Sequence, residues 1–111
     1  MTNGVPEISD AGFDQAVARA AQARRAIHTI IDQVRAAELD LSAAFAAADS
    51  DELMGRCFAV KVFEVVPGIG KVRARRTMEQ FGIDEGIWIR DVTPQDRERV
   101  IAALAEPSQS A

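Results

Sequence analysis

The residues best suited to chemistry lie in one stretch, Val66-Pro67-Gly68-Ile69-Gly70-Lys71-Val72-Arg73-Ala74-Arg75-Arg76. Two glycines bracket one apolar residue, and a cation-rich segment follows. Gly68 and Gly70 can take backbone angles forbidden to a side chain, and they let another backbone come close. Pro67 fixes the entry and ends whatever helix precedes it. From Lys71 onward, Val72, Met78 and Phe81 are apolar and Arg73, Arg75 and Arg76 polar, which reads as a helix. Its first N–H groups would point into the glycine turn, with the positive end of the helix dipole behind them. That is an anion site, and its natural ligand is a phosphate.

Two nucleotide motifs fail on these residues. A Walker loop requires G-x-x-x-x-G-K-[ST], whereas this stretch has G-x-G-K-V. A dinucleotide fingerprint requires a third glycine and a preceding strand, whereas position 73 is Arg and the flanks look helical. What remains is a tight turn between two helices. Either the glycines only make the corner, or the turn is offered to a nucleic-acid backbone. The Arg73, Arg75, Arg76 cluster favours the second. Catalysis has little support. The carboxylates fall mostly on predicted solvated helix faces, and no Ser/His/Asp or Cys/His set has a workable arrangement. One cysteine and one histidine make no metal site. The chain therefore reads as a binding protein without enzymatic activity, metal or cofactor.

The elements that position this turn follow from length and periodicity. At 111 residues the chain makes one compact domain. Its apolar fraction of 48% is rich in alanine, which favours an all-α fold. No apolar run reaches the roughly 20 residues needed to span a bilayer. The N-terminus lacks a signal peptide's charged and apolar regions, and a lone Cys57 suits a reducing cytoplasm.

Residues 1–9 read as a flexible arm, and residues 10–106 as a single helical domain. Asp10 can cap a long helix over 10–37, with Phe13, Val17, Ala20, Ile27, Ile31 and Val34 on its apolar face. Its first turns should project and its second half should pack. His28 reads as a half-buried structural histidine and Cys57 as a small buried apolar residue. Asp40 or Ser42 can cap a short helix, Leu41 to Ala48. Asp49 or Ser50 can cap another, Asp51 to about Cys57, weakened by Gly55. Phe58 to Val66 has strand-like β-branched content, but a helix is favoured. Gly82 sits where a helix-ending glycine belongs. Residues 83–92 form an irregular connector holding Trp88, either a core anchor or an exposed wedge. Thr93-Pro94-Gln95-Asp96 starts a last helix to about Ala105. Residues 107–111 are a tail.

The formal charge is −4, unusual for a nucleic-acid binder, but it is distributed unevenly. Lys71, Arg73, Arg75 and Arg76 stand against Glu79. Arg19, Arg24, Arg25 and Arg35 stand against Asp32. Glu38, Asp40, Asp49, Asp51 and Glu52 form a segment with no cation.

The order V-P-G-I-G-K-V-R-A-R-R-T-M-E-Q-F-G-I, a short connector and a capped helix resembles the helix-two-turn-helix module, here over residues 58–105. With A-A-Q-A-R-R at Ala20 to Arg25 and the short helices after it, roughly residues 15–105 resemble the actinobacterial integration host factor family. The resemblance implies a small all-α, nucleoid-associated cytoplasmic protein that binds and bends duplex DNA with little sequence preference. It places phosphate contacts on Pro67, Gly68, Gly70 and Lys71, with Arg73 at the next motif position and Arg90 in the connector. Two further cations of the family fall where this chain has Ile87 and Trp88. The small-subunit ribosomal protein with a helix-two-turn-helix shares the G-I-G-K start and a D-V-T-like helix entry, and is a weaker match.

The leading expectation is therefore a monomer that binds double-stranded DNA through its backbone phosphates, using the turn, Lys71, Arg73, Arg75 and Arg90. Four or five such contacts imply a log–log salt slope around −4. Arg19, Arg24 and Arg25 on the projecting helix could meet the same or a second duplex, or simply form a solvated helix face. Two alternatives are a protein-interaction module that has lost DNA binding, built on Ile87, Trp88 and the acidic segment, and an RNA-binding helix-two-turn-helix protein.

Overall fold

The computed structural model describes residues 5–105. The tail at 107–111, the first four residues of the arm and the domain end at 106 lie outside the described residues. The architecture is all-α. A long helix, α1 (Val5–Arg35), is followed by α2 (Leu41–Ser50), α3 (Glu52–Gly55), α4 (Ala59–Phe63), α5 (Gly70–Gln80), a 3-10 turn (Ile89–Asp91) and α6 (Pro94–Ala105). No helix among the described residues is long and apolar enough to cross a membrane.

The long helix begins at Val5 rather than Asp10 and ends at Arg35. Its outer turns project, giving the molecule extents of 69 × 27 × 24 Å. Phe13 and Val17 are 67% and 48% exposed, while Ile30 and Val34 are fully buried. The apolar stripe is thus continuous in sequence but packed only in its second half. His28 is exposed, not half-buried. It lies outside the series Ala23, Ile27, Ile30 and Val34 that turns toward the core at three- and four-residue steps.

The core gathers Ile30, Val34, Phe45, Val62, Phe63, Met78, Ile89, Val92 and Val100. Phe45 and Phe63 meet edge to face at 6.0 Å. Cys57 is buried as expected, and desolvation pushes its thiol up to about 11.

Capping residues set the short helices. Asp40 accepts from Ala43 N at 2.8 Å, so it rather than Ser42 starts α2. The cap of α3 is Asp51, which accepts from Leu53 N and Met54 N. It replaces the expected Asp49 and Ser50 because Asp49 is held by Arg97 and the Ser50 hydroxyl donates back to Ala46 O. The segment 58–66 is helical over Ala59–Phe63 alone. Its strand-like character survives at Phe58, which forms a single antiparallel bridge with Trp88.

Candidate nucleic-acid interface

The site begins with Val66. Its carbonyl accepts from Ile69 N at 3.0 Å, closing a four-residue turn with Pro67 second and Gly68 third. Gly68 has φ +85°, the angle a type II turn demands at that position. Gly70 has φ +74° and turns the chain into α5. A Cβ at either glycine would meet nothing within 4 Å. The backbone angle therefore requires glycine, and the space in front is open to an approaching backbone. No side chain caps the start of α5, and its first turn holds no acid. The dipole there is not neutralised locally. Lys71 is exposed and enters no ion pair among the described residues.

The other sequence-predicted cations sit in three different settings. Arg73 is half-buried, and its guanidinium donates to Ala103 O at 2.9 Å. It therefore ties α5 to the carboxyl end of α6, where a cation suits the dipole. Arg75 is exposed and pairs with Glu85 at 3.3 Å. Arg90 stands on the 3-10 turn, 5.3 Å from the centre of the Trp88 ring and 3.9 Å from the Asp91 carboxylate. Arg24 and Arg25 are exposed on α1. The structure thus brings Pro67, Gly68, Gly70 and Lys71 together at one turn with Arg75 a turn further along α5. Arg90, Arg24 and Arg25 stand on separate elements.

The connector before α6 is less irregular than its sequence suggests. Ala59 N donates to Ile87 O at 2.9 Å and Ile89 N to Cys57 O at 2.7 Å, so residues 57–59 and 87–89 run side by side. Phe58 and Trp88 are then the directly opposed pair, with side chains on one face. Trp88 is half-buried, neither a core anchor nor a free wedge. Arg56 reaches its ring from the other segment, at 6.0 Å.

Three residues escaped the sequence reading. Arg97 donates to both Asp49 oxygens at 2.6 and 2.9 Å, to Val92 O at 2.8 Å and to Arg90 O at 2.9 Å. It also lies 4.9 Å from the Phe45 ring centre. This one side chain locks α6, α2 and the 3-10 turn that carries Arg90. Gly55 was legible only as a weak helix former. A Cβ there would meet Ala48 O at 2.7 Å and the Arg90 stem at 2.9 Å, so glycine lets that stem pack down. Arg56 gave no sequence signal, because only the bridge brings it to Trp88.

Residues 34–104 match the S13-like H2TH domain family, the helix-two-turn-helix class that this turn and its flanking helices define. The chain belongs to that family. It is 27% identical to the integration host factor of Mycobacterium tuberculosis over 87% of this chain and 92% of that protein. It is 29% identical to the integration host factor of Streptomyces coelicolor over 68% of this chain and 70% of that one. A solved structure of sIHF bound to an 8-bp palindromic DNA is similar at a TM-score of 0.66 and 28% identity, over 78% of this chain and 93% of that chain. The resemblance to actinobacterial integration host factors therefore holds in sequence and in fold.

Proposed function

We propose that this protein is a nucleoid-associated architectural protein that binds and bends duplex DNA without marked sequence preference, as a monomer in the cytoplasm. The observation that carries this reading is the uncapped start of α5 behind two left-handed glycines, with Lys71 exposed beside it. Such a turn holds one phosphate through backbone N–H groups and the Lys71 ammonium. Arg75 and Arg90 take neighbouring phosphates. Their carboxylate partners, Glu85 and Asp91, are exposed and hold them weakly. Arg73 contributes by fixing α5 against α6. Contacts of this kind position the protein on the duplex and read no bases. The similarity to sIHF, solved with DNA, supports the same reading.

With Arg73 engaged internally, three side-chain phosphate contacts remain from the expected set. The log–log salt slope of binding should then be about −2.7, shallower than the value near −4 that a count of cations implies. The test is a titration of random-sequence duplex DNA at several salt concentrations with wild type and Lys71→Glu. Loss of binding in Lys71→Glu with unchanged thermal unfolding is the expected result. Equal affinity of the two proteins would overturn the assignment of the glycine turn.

A further inference from the structure

The ends of several elements enclose an apolar cleft of about 330 Å³ that duplex binding does not use. Val34 comes from the end of α1, Leu41 from the start of α2, Val66 and Pro67 from the entry to the glycine turn, and Ile101 and Leu104 from α6. Past Val34, the next lining residue of the chain is Ala37, whose methyl group is too small to fill the space. Water in such a cleft finds few partners, so an apolar group displaces it at a gain. The volume is at the low end for small-molecule sites, which suits one ring or a short alkyl chain and no nucleotide. Among the described residues, Asp40 is the one charged member of the lining, with no Lys, Arg or His beside it. Its Oδ1 accepts from Ala43 N as the cap of α2, while Oδ2 has no protein partner among the described residues. Asp40 and Ser42 are exposed on either side of buried Leu41, so the carboxylate and the hydroxyl stand at the rim above an apolar floor. That arrangement selects an apolar body with a cationic head. Residues 106–111, E-P-S-Q-S-A, meet neither requirement, because they bring an acid and no large apolar side chain.

We propose that this cleft is a regulatory ligand site for a small apolar monocation, an aryl- or alkylammonium, with its ring or chain on Val34, Leu41, Val66, Pro67 and Leu104 and its ammonium on Asp40 Oδ2. The regulatory part rests on the duplex-binding reading above; the binding part does not. The ligand acts through Val66 and Pro67. The Val66 carbonyl closes the glycine turn by accepting from Ile69 N at 3.0 Å, and Pro67 is the second residue of that turn. An occupant packed against both side chains holds the turn in the shape whose N–H groups meet a phosphate. A second link runs through α6. Leu104 lines the cleft, and the neighbouring Ala103 carbonyl takes the Arg73 guanidinium from α5. A turn already ordered by one ligand loses less freedom on meeting the next. The occupied form is therefore the tighter DNA binder, and by linkage DNA tightens the ligand to the same degree.

The probe is phenethylammonium, with phenethyl alcohol and hydrocinnamate as its neutral and anionic counterparts, each titrated into isotope-labelled full-length protein and followed by amide NMR shifts. The expected result is a set of shifts centred on Leu41, Val66 and Ile69 with a midpoint of roughly 1 mM, the range for a ligand of so few atoms. Phenethyl alcohol should bind about threefold more weakly, the worth of one exposed ion pair. That difference should vanish in Asp40→Asn, which keeps the cap. Hydrocinnamate should not bind. Ala105→Phe, which fills the cleft from its exposed edge, should abolish binding. Saturating phenethylammonium should lower the Kd for duplex DNA by roughly twofold or more, measured against the same concentration of ethylammonium. Shifts that are absent, scattered over the surface or equal for the three probes would overturn the site. So would shifts at the cleft that grow with protein concentration before any probe is added, since they would seat a second copy there. Binding at the cleft with unchanged duplex affinity would overturn the regulatory part. Lys71→Glu should bind the probe as wild type does while losing DNA, so failure of this site and failure of the duplex reading give different results.

Discussion

Arg97 is the residue on which the geometry of the connector depends. Its partner Asp49 is 52% exposed, so the ion pair alone contributes little. The larger effect of its removal is the loss of donors to the Val92 and Arg90 carbonyls and of packing on Phe45. Arg97→Ala should cost about 2 kcal/mol of stability in urea unfolding, and should weaken DNA binding through displacement of Arg90. The pair also has a pH signature. The hydrogen bond from Arg97 holds the Asp49 carboxyl below its ordinary value of 3.8. A carboxyl with a lowered folded value stabilises the fold above its unfolded value. That contribution disappears as pH falls through the folded one. Asp49→Asn should therefore be less stable than wild type at neutral pH and should lose less stability below about pH 4. Parallel acid limbs for the two proteins would show that Asp49 takes no part.

At the scale of elements, the ends of the helices carry most of the local instruction. After α5, Gly82 N donates to Glu79 O and Ile83 N to Met78 O, and Gly82 has φ +69°. This is a Schellman end with glycine at the left-handed position. After α1 the same pattern recurs, with Ala37 N donating to Val34 O and Glu38 N to Gln33 O, but Ala37 holds φ +62°. An alanine there is strained, and Ala37→Gly should stabilise the protein by about 1 kcal/mol. A raised urea midpoint with an unchanged slope would be the sign of it. The contrast also shows what a sequence discloses. Gly82, Thr93 and the Pro67–Gly70 turn were legible because their residue types demand one local geometry. Thr93 accepts from Asp96 N at 3.1 Å as its spacing implied. The helix α1 ends at Arg35, two residues before the expected 37, because alanine carries no stop signal. The roles of Gly55, Arg56 and Arg97 depend on contacts between elements distant in sequence. The stretch 58–66 was ambiguous because it contains both a bridge and a helix.

At the scale of the whole molecule, the net charge of −4 misrepresents what a ligand meets. Four of the five carboxylates between residues 38 and 52 have tasks inside the fold. Asp40 and Asp51 cap helices, Asp49 holds Arg97 and Glu52 pairs with Arg56. The acidic segment is thus largely spent on structure, which argues against a surface built to meet a basic protein. The long helix shows the opposite pattern. From residue 12 to residue 20 every residue is exposed, and Arg24 and Arg25 follow on the outer side of the stretch where half-buried Ala23 and Ile27 begin the packed part. The outer turns of this rod bury so little that they contribute little to the core, yet the rod keeps Arg24 and Arg25 on an open face. If it grips a second duplex, the molecule bridges two DNA segments, and bridging will separate from simple binding. Arg24→Ala/Arg25→Ala should keep single-duplex affinity within roughly threefold while abolishing energy transfer between two differently labelled duplexes. Lys71→Glu should abolish both. Equal loss of affinity and bridging in the Arg24/Arg25 variant would instead put the rod on the same duplex as the glycine turn.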